Sequence, residues 1–269
     1  MFAGFKLTTT RDFSKWVGIG KEQFEKQKVQ VESDLKYFIG KDGELDGTKI
    51  QKNWFPSVDA DIFLSHSHKD EDMALGLAGW LYSNLGVTVF IDSCIWGYSA
   101  DLLREIDNAY CKNPDGYYNY EKRNYSTSHV HTMLATALTH MIDKTEAIFF
   151  LNTPNSLSST DVVDKTTSPW IYHELVTANL IQKKLLNEYR KQLIIKAFEA
   201  AEQQELEIRY QVNTKDLYLL GESDLDKWEA GYDYVCAKLN HKIVEDNFNA
   251  LDVLYEYKGV FDKSKEKSA

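Results

Sequence analysis

The chain has 269 residues and a formal net charge of −10, an acidic excess that weighs against nonspecific binding to nucleic acid or to an anionic membrane. Its hydrophobic fraction of 43% supports a sizeable core, yet no apolar run approaches the roughly 20 residues of a membrane helix. Three cysteines (Cys94, Cys111 and Cys236), odd in number and far apart, fit reduced thiols in a cytoplasmic protein rather than a disulfide framework. The start, MFAGFKLTTTRDF, lacks a basic end followed by an apolar run, so no secretory signal is expected.

Residues 1–58 read as an N-terminal helical extension. Phe13, Trp16, Val17 and Phe24 suggest helical pieces broken at Gly18 and Gly20, Val29 to Ile39 is mixed, and Gly40-Lys41-Asp42-Gly43 is a turn. Trp54-Phe55-Pro56 is expected to pack against the domain that follows. Ile62-Phe63-Leu64 is a short apolar run ending in Ser65-His66-Ser67-His68, which suits a buried strand. The acidic turn Asp70-Glu71-Asp72 then complements a helix N-terminus, and Met73, Leu77, Trp80, Leu81 and Leu85 recur at helical spacing up to a C-terminal cap at Gly86. Val87 to Ile91 is β-branched and aromatic, a second buried strand. It ends at Asp92 and leads into a loop holding Trp96 and Gly97, after which Leu102 to Ile106 is amphipathic. Strand, helix, strand, loop and helix begin a parallel α/β sheet.

Tyr110 to Ser128 reads as a polar-aromatic insertion. Asn113-Pro114-Asp115-Gly116 is turn chemistry, followed by Tyr117, Tyr118, Tyr120 and Tyr125. His129 to Asp143 carries a helical stripe, and Ala147 to Leu151 is a third buried strand. The Ser-, Thr-, Asn- and Asp-rich stretch Asn152 to Thr167 is expected to be a mobile loop. Ser168 and Pro169 suit the N-cap and first position of a helix, on which Trp170 and Glu174 share a face beside Ile171, Leu175 and Ala178. Beyond it, the chain to Gln203 reads mostly helical, with Leu193-Ile194-Ile195 open between helix and fourth strand. Leu206 to Val212 reads as a strand and Trp228 to Ile243 as a closing helix. The domain therefore spans 59–243 with an insertion at about 110–128, and 244–269 is a C-terminal tail whose end, FDKSKEKSA, should fray.

DIFLSHSHKDE, GVTVFIDS and SPWIYHELVTA resemble, in that order, the first strand, second strand and third helix of a TIR domain. The match covers roughly Asp59 to Asn179 and points to the bacterial branch, which includes sensors of anti-phage systems such as Thoeris. The resemblance implies a flavodoxin-like TIR fold: a central parallel sheet with helices on both faces, here with an N-terminal extension and an insertion. It also implies NAD+ as substrate and no further cofactor. WIYHE places Glu174 where NAD-cleaving TIR domains carry their catalytic glutamate, with Trp170 at the family's tryptophan. The chemistry is consistent, because breaking the nicotinamide–ribose bond develops positive charge that a carboxylate beside the ribose can stabilise. Read without the resemblance, Glu174 is an ordinary solvated helix residue.

Ser65, His66 and Ser67 sit at the carboxyl end of the first strand, where open parallel sheets bind ligands. Their hydroxyls, imidazole and backbone N–H groups suit phosphate or ribose; loop and capping roles compete, and for His68 and Asp70 they lead. Phe90, Asp92 and Trp96 belong to the second strand and the family's BB loop, beside the nucleotide site. Trp96 either stacks on nicotinamide or a neighbouring subunit, or folds back as a lid on the core. Cys94 is a thiol near this site without an evident base. No metal site is expected from His129, His131 and Cys111, which lack an accompanying ligand motif. The implied partners are further copies of the chain, through TIR faces and the BB loop, and a downstream effector reached by a nucleotide product. Against this enzyme stand a non-catalytic assembly module and, more distantly, another nucleoside-processing enzyme such as a deoxyribosyltransferase.

Overall fold

Five parallel strands form the centre of the protein: β1 (Ala3–Leu7), β2 (Ile62–Ser65), β3 (Val89–Ile91), β4 (Ala147–Leu151) and β7 (Tyr218–Leu220), side by side in the order β3-β2-β4-β1-β7. The structure, a computed structural model, describes residues 1–27, 34–40, 44–157, 165–184, 189, 210–211, 217–238 and 249–260. Strands β2, β3 and β4 are buried along their whole length, as the apolar runs in the sequence require of a parallel sheet covered on both faces. Alternate side chains of β4 point to opposite layers: Phe149 lies 6.1 Å from Trp228, whereas Phe150 packs with Leu157, Ile171 and Leu175.

Helices α1 (Val17–Gln27) and α3 (Glu71–Leu85) pack together, and the helices Glu222–Lys238 and Ala250–Tyr257 continue that layer. Helices α2 (Gly47–Trp54), α4 (Ser93–Tyr110), α5 (Tyr120–Lys144) and α6 (Pro169–Leu180) pack against one another as a second group. The fold is thus α/β with a wholly parallel central sheet, consistent with a flavodoxin-like arrangement. No helix among the described residues is long and apolar enough to cross a membrane.

Several local readings hold in detail. Gly86 ends α3 in the left-handed region at φ 66°, which a residue without Cβ adopts cheaply, and its N–H reaches the Tyr82 carbonyl at 3.1 Å. Ser168 caps α6 by accepting from the Ile171 N–H at 3.3 Å, with Pro169 at the first position. Trp54 and Phe55 are buried as anticipated.

Others are corrected. Residues 1–58 are not wholly a helical extension, because β1 lies inside the sheet, hydrogen-bonded to β4 on one side and β7 on the other. Nor does α1 break at its glycines. A Cβ on Gly20 would fall 1.9 Å from the Leu75 carbonyl oxygen, and one on Gly79 would fall 2.2 Å from that of Trp16, so bare glycines let these helices touch backbone to backbone. The loop expected after Asp92 is the first turn of α4; residues 93–110 contain no proline, and Gly97 alone does not stop the helix. The last part of the tyrosine-rich insertion, residues 120–128, is the start of α5, which begins where Asn119 accepts from the Lys122 N–H at 3.0 Å. Along α5 the hydroxyls of Ser128, Thr132, Thr136 and Thr139 bond back to carbonyls four residues earlier, which lets the helix hold its polar residues.

Of the stretch Asn152 to Thr167, residues 152–157 form a hydrogen-bonded turn. β5 (Lys165–Thr166) pairs antiparallel with β6 (Tyr210–Gln211), apart from the main sheet. The closing helix begins at Glu222 rather than Trp228. Ala250–Tyr257, read as tail, is a helix with Leu251, Leu254 and Tyr255 fully buried. Residues 41–43, 158–164, 193–195, 206–209, 239–243 and 261–269, on which other expectations fell, lie outside the described residues.

Candidate active site

From β2 the chain moves outward to β3 at the sheet edge, then returns past β2 to β4. The carboxyl ends of β2 and β4 therefore flank the point where chain direction across the sheet reverses, the position at which open α/β sheets bind ligands. Each flanking element delivers a polar group there. Ser65 ends β2 and His66 follows it, Asp92 follows β3, and Glu174 lies on the inward face of α6, the helix after β4.

All four side chains are sealed from solvent, with Ser65 and Glu174 at 0% exposure, His66 at 3% and Asp92 at 4%. His66 Nδ1 approaches Asp92 Oδ1 to 2.8 Å. Neither Glu174 oxygen finds a well-formed hydrogen bond, nor do Ser65 Oγ and the two ring nitrogens of His66, so the approach of His66 to Asp92 is a close charge contact. An ionised carboxylate in that position would lose its hydration without replacement, which costs several kcal/mol. Glu174 avoids this by holding its proton. Burial first, and the neighbouring Asp92 carboxylate second, keep its carboxyl well above the ordinary glutamate range, with the Ser65 hydroxyl pulling the other way. For His66, burial favours the neutral ring, but the Asp92 carboxylate, the Leu64 backbone and Glu71 together outweigh it and raise the imidazole.

The rim is tied shut. Asp70, at the start of α3, accepts from Thr153 Oγ1 at 2.5 Å and from Asn155 Nδ2 at 2.6 Å, joining the loop after β2 to the loop after β4. Ser156 Oγ donates to the Leu151 carbonyl at 3.0 Å and completes the turn. Sequence reading gave Asp70 a capping role and missed Thr153 and Asn155. A carboxylate at one strand end facing a Thr/Asn-rich loop at another was the available signal, although nothing in the sequence pairs those loops.

The remaining candidates do not join the cluster. Phe90 is core: it stands in register with Phe63, their ring centroids 5.3 Å apart. Trp170 turns towards α5, edge-on to His131 at 5.9 Å, and so docks α6 instead of lining the Glu174 site. Ser67 is half-buried at the head of the short turn His68–Asp70, and His68 is exposed. The side chains of Cys94 and Trp96 lie outside the described residues. A small pocket lined by Gln23, Phe24, Gln27, Tyr82 and Val89 contains none of the site residues. Among the described residues, no group of three His, Cys, Asp or Glu side chains is placed to hold a metal ion.

A buried neutral carboxyl beside an imidazole–carboxylate pair can donate a proton or, once ionised, stabilise a cation in water-poor surroundings. Compared with known proteins, the chain matches no family model, no curated protein and no solved structure.

The buried carboxyl also ties stability to pH. Below about pH 4.5, the ordinary glutamate value, Glu174 is protonated in both folded and unfolded chains. Above it the unfolded chain ionises while the folded one does not, so the favourable contribution is lost as pH rises through the folded-state value. His66, also raised, acts in the same direction above its ordinary 6.5, while His173, lowered by burial, acts oppositely. The slope belonging to Glu174 is therefore read by difference. Calorimetric Tm of the wild type should fall more steeply between about pH 5 and 8 than that of Glu174→Gln, and parallel curves would refute the buried-acid assignment.

Proposed function

We propose that the chain is a TIR-type enzyme that breaks the nicotinamide–ribose bond of NAD+, releasing nicotinamide and an ADP-ribose-derived nucleotide that serves as a signal in cytoplasmic anti-phage defence. The observation that carries this reading is the fully buried Glu174 carboxyl, beside Asp92, at the switch point between β2 and β4. It adds to the resemblance carried by DIFLSHSHKDE, GVTVFIDS and SPWIYHELVTA.

The proposed step begins with entry of the nicotinamide ring, a pyridinium cation, next to Glu174. That charge favours ionisation of the carboxyl, which is otherwise held neutral, its proton passing to solvent water when the site opens. The ribose C1′–N bond then breaks, its electron pair leaves on neutral nicotinamide, and the carboxylate stabilises the ribosyl cation. Water attacking C1′ and losing a proton gives ADP-ribose. An adenine or ribose atom of the same molecule gives a cyclic isomer, and another acceptor gives a conjugate. Closure of the rim fits an enzyme that is silent until assembly or a trigger opens the site.

Complete burial of Glu174 favours a second reading, a TIR assembly module without turnover, for which exposed Tyr117, Tyr120 and Tyr125 offer contact surface. Incubating purified protein with NAD+, with and without lysate of phage-infected cells, and following nicotinamide and nucleotides by chromatography and mass spectrometry separates the two. NAD+ loss with stoichiometric nicotinamide is expected, and product mass distinguishes hydrolysis or cyclisation from conjugation. Intact NAD+ in every condition, from protein that forms defined oligomers, selects the assembly module.

A further inference from the structure

The imidazole of His66 is not a group the glycosidic step itself calls for, yet it is buried at the centre of the candidate site. Its Nδ1 lies 2.8 Å from Asp92 Oδ1, and Asp92 in turn is the charged neighbour of the Glu174 carboxyl. We propose that His66 is a positioning residue of this site: by pairing with Asp92 it offsets that carboxylate's charge and so sets how readily Glu174 gives up its proton. The proposal rests on the NAD-cleaving reading for its kinetic consequence, whereas its electrostatic core concerns the three side chains alone.

Burial gives this arrangement its strength. Charges that water would screen act at a lower effective dielectric here, so the Asp92 carboxylate helps to hold the Glu174 proton. A protonated His66 against Asp92 relieves that repulsion. Other polar groups around Glu174 do not supply this charge. Ser65, from β2, is a neutral hydroxyl, and Glu71, on α3, acts on His66. His173, on the same helix, points its Nε2 at the Ala135 carbonyl and Thr139 Oγ1 of α5, each 3.2 Å away. His131, on α5, meets Trp170. His66 is thus the one imidazole among these groups that faces the Asp92–Glu174 pair.

The test uses the full chain labelled with carbon-13 at the glutamate side-chain carboxyl. The Glu174 resonance is identified by its loss in Glu174→Gln and followed through a pH titration by NMR. His66→Gln should move the Glu174 midpoint to higher pH, because Asp92 loses the positive charge of the imidazole beside it, and Asp92→Asn should move it to lower pH. In the Asp92→Asn background, His66→Gln should have no further effect, since His66 acts through Asp92. In the wild type, which needs no substitution to fold, the Glu174 resonance should show a second inflection at the pH where His66 itself titrates. A Glu174 curve indifferent to His66 in both the variant and the wild type overturns the proposal.

Kinetically, kcat/KM for NAD+ at a fixed pH on the acid limb should fall about tenfold or more in His66→Gln, and recover as pH is raised. A structural defect would lower it at every pH. If the NMR coupling is present but no NAD+ is cleaved, the function assigned above fails and the role of His66 stands. If NAD+ is cleaved without the coupling, the reverse holds.

Discussion

Glu174→Gln is expected to cut NAD+ cleavage by at least about 100-fold while leaving the fold intact. Glutamine keeps the shape and hydrogen-bonding reach of the protonated acid that the closed site already contains. What it lacks is the ability to become an anion when a cation arrives. The loss should fall on kcat, because stabilisation of the ribosyl cation is realised at the transition state rather than in binding of NAD+. The acid limb of the wild-type pH–rate profile should lie above the ordinary glutamate range, since ionisation must overcome burial and the Asp92 charge. Measuring nicotinamide release from both proteins across pH decides the matter. A variant retaining wild-type turnover would remove Glu174 from the chemistry and with it the proposed function.

The second large effect concerns packing. Gly79→Ala should destabilise the protein by about 3 kcal/mol, although helix propensity alone predicts a gain of roughly 1 kcal/mol for replacing a mid-helix glycine. The added methyl would sit 2.2 Å from the Trp16 carbonyl oxygen and near the Gly20 nitrogen, both backbone atoms that cannot swing aside like a side chain. The helices would have to separate, opening the contact on which Phe13, Trp16 and Trp80 pack. Gly18→Ala, a few residues away on α1, supplies the control, because a Cβ there meets nothing within 4 Å. It should be neutral or stabilising by up to about 1 kcal/mol. Urea unfolding of the two variants should give opposite signs; equal signs would show that α1 and α3 are not held as close as the glycines indicate.

The strands and helix of residues 62–91 were legible because each pattern had a local cause: a short apolar run, a helical stripe, then β-branched residues bounded by Gly86 and Asp92. β1 was not. Its sequence AGFKL is short and includes glycine and lysine, and what makes it a strand is the slot between β4 and β7, where Gly4 leaves room for Leu217 and Ile148. The start of α4 was hidden for a different reason, since an aromatic followed by glycine after a strand looks like a loop tip. In the site, Glu174 could be singled out by type and spacing. Its burial could not, nor its proximity to Asp92, because both follow from how α6 docks on α5 through Trp170 and His131. Phe90 was misplaced since strand alternation shows that a residue has a face without saying which, and register with Phe63 assigns it to the core.

The place of β1 also dictates an order of events in folding. Ala3 pairs with Ala147 and Phe5 with Tyr218, so β1 waits for more than half of the chain before its first edge is satisfied and for most of it before the second is. Closing so long a loop costs entropy before any contact repays it, which slows folding relative to a sheet assembled from neighbours in sequence. Until β7 has been synthesised, β1 presents an unpaired edge, the kind of surface on which nascent chains aggregate or recruit chaperones. The elements that carry Asp92 and Glu174 all precede β7 in the chain, so a chain stopped before β7 holds both residues yet leaves the outer edge of β1 exposed.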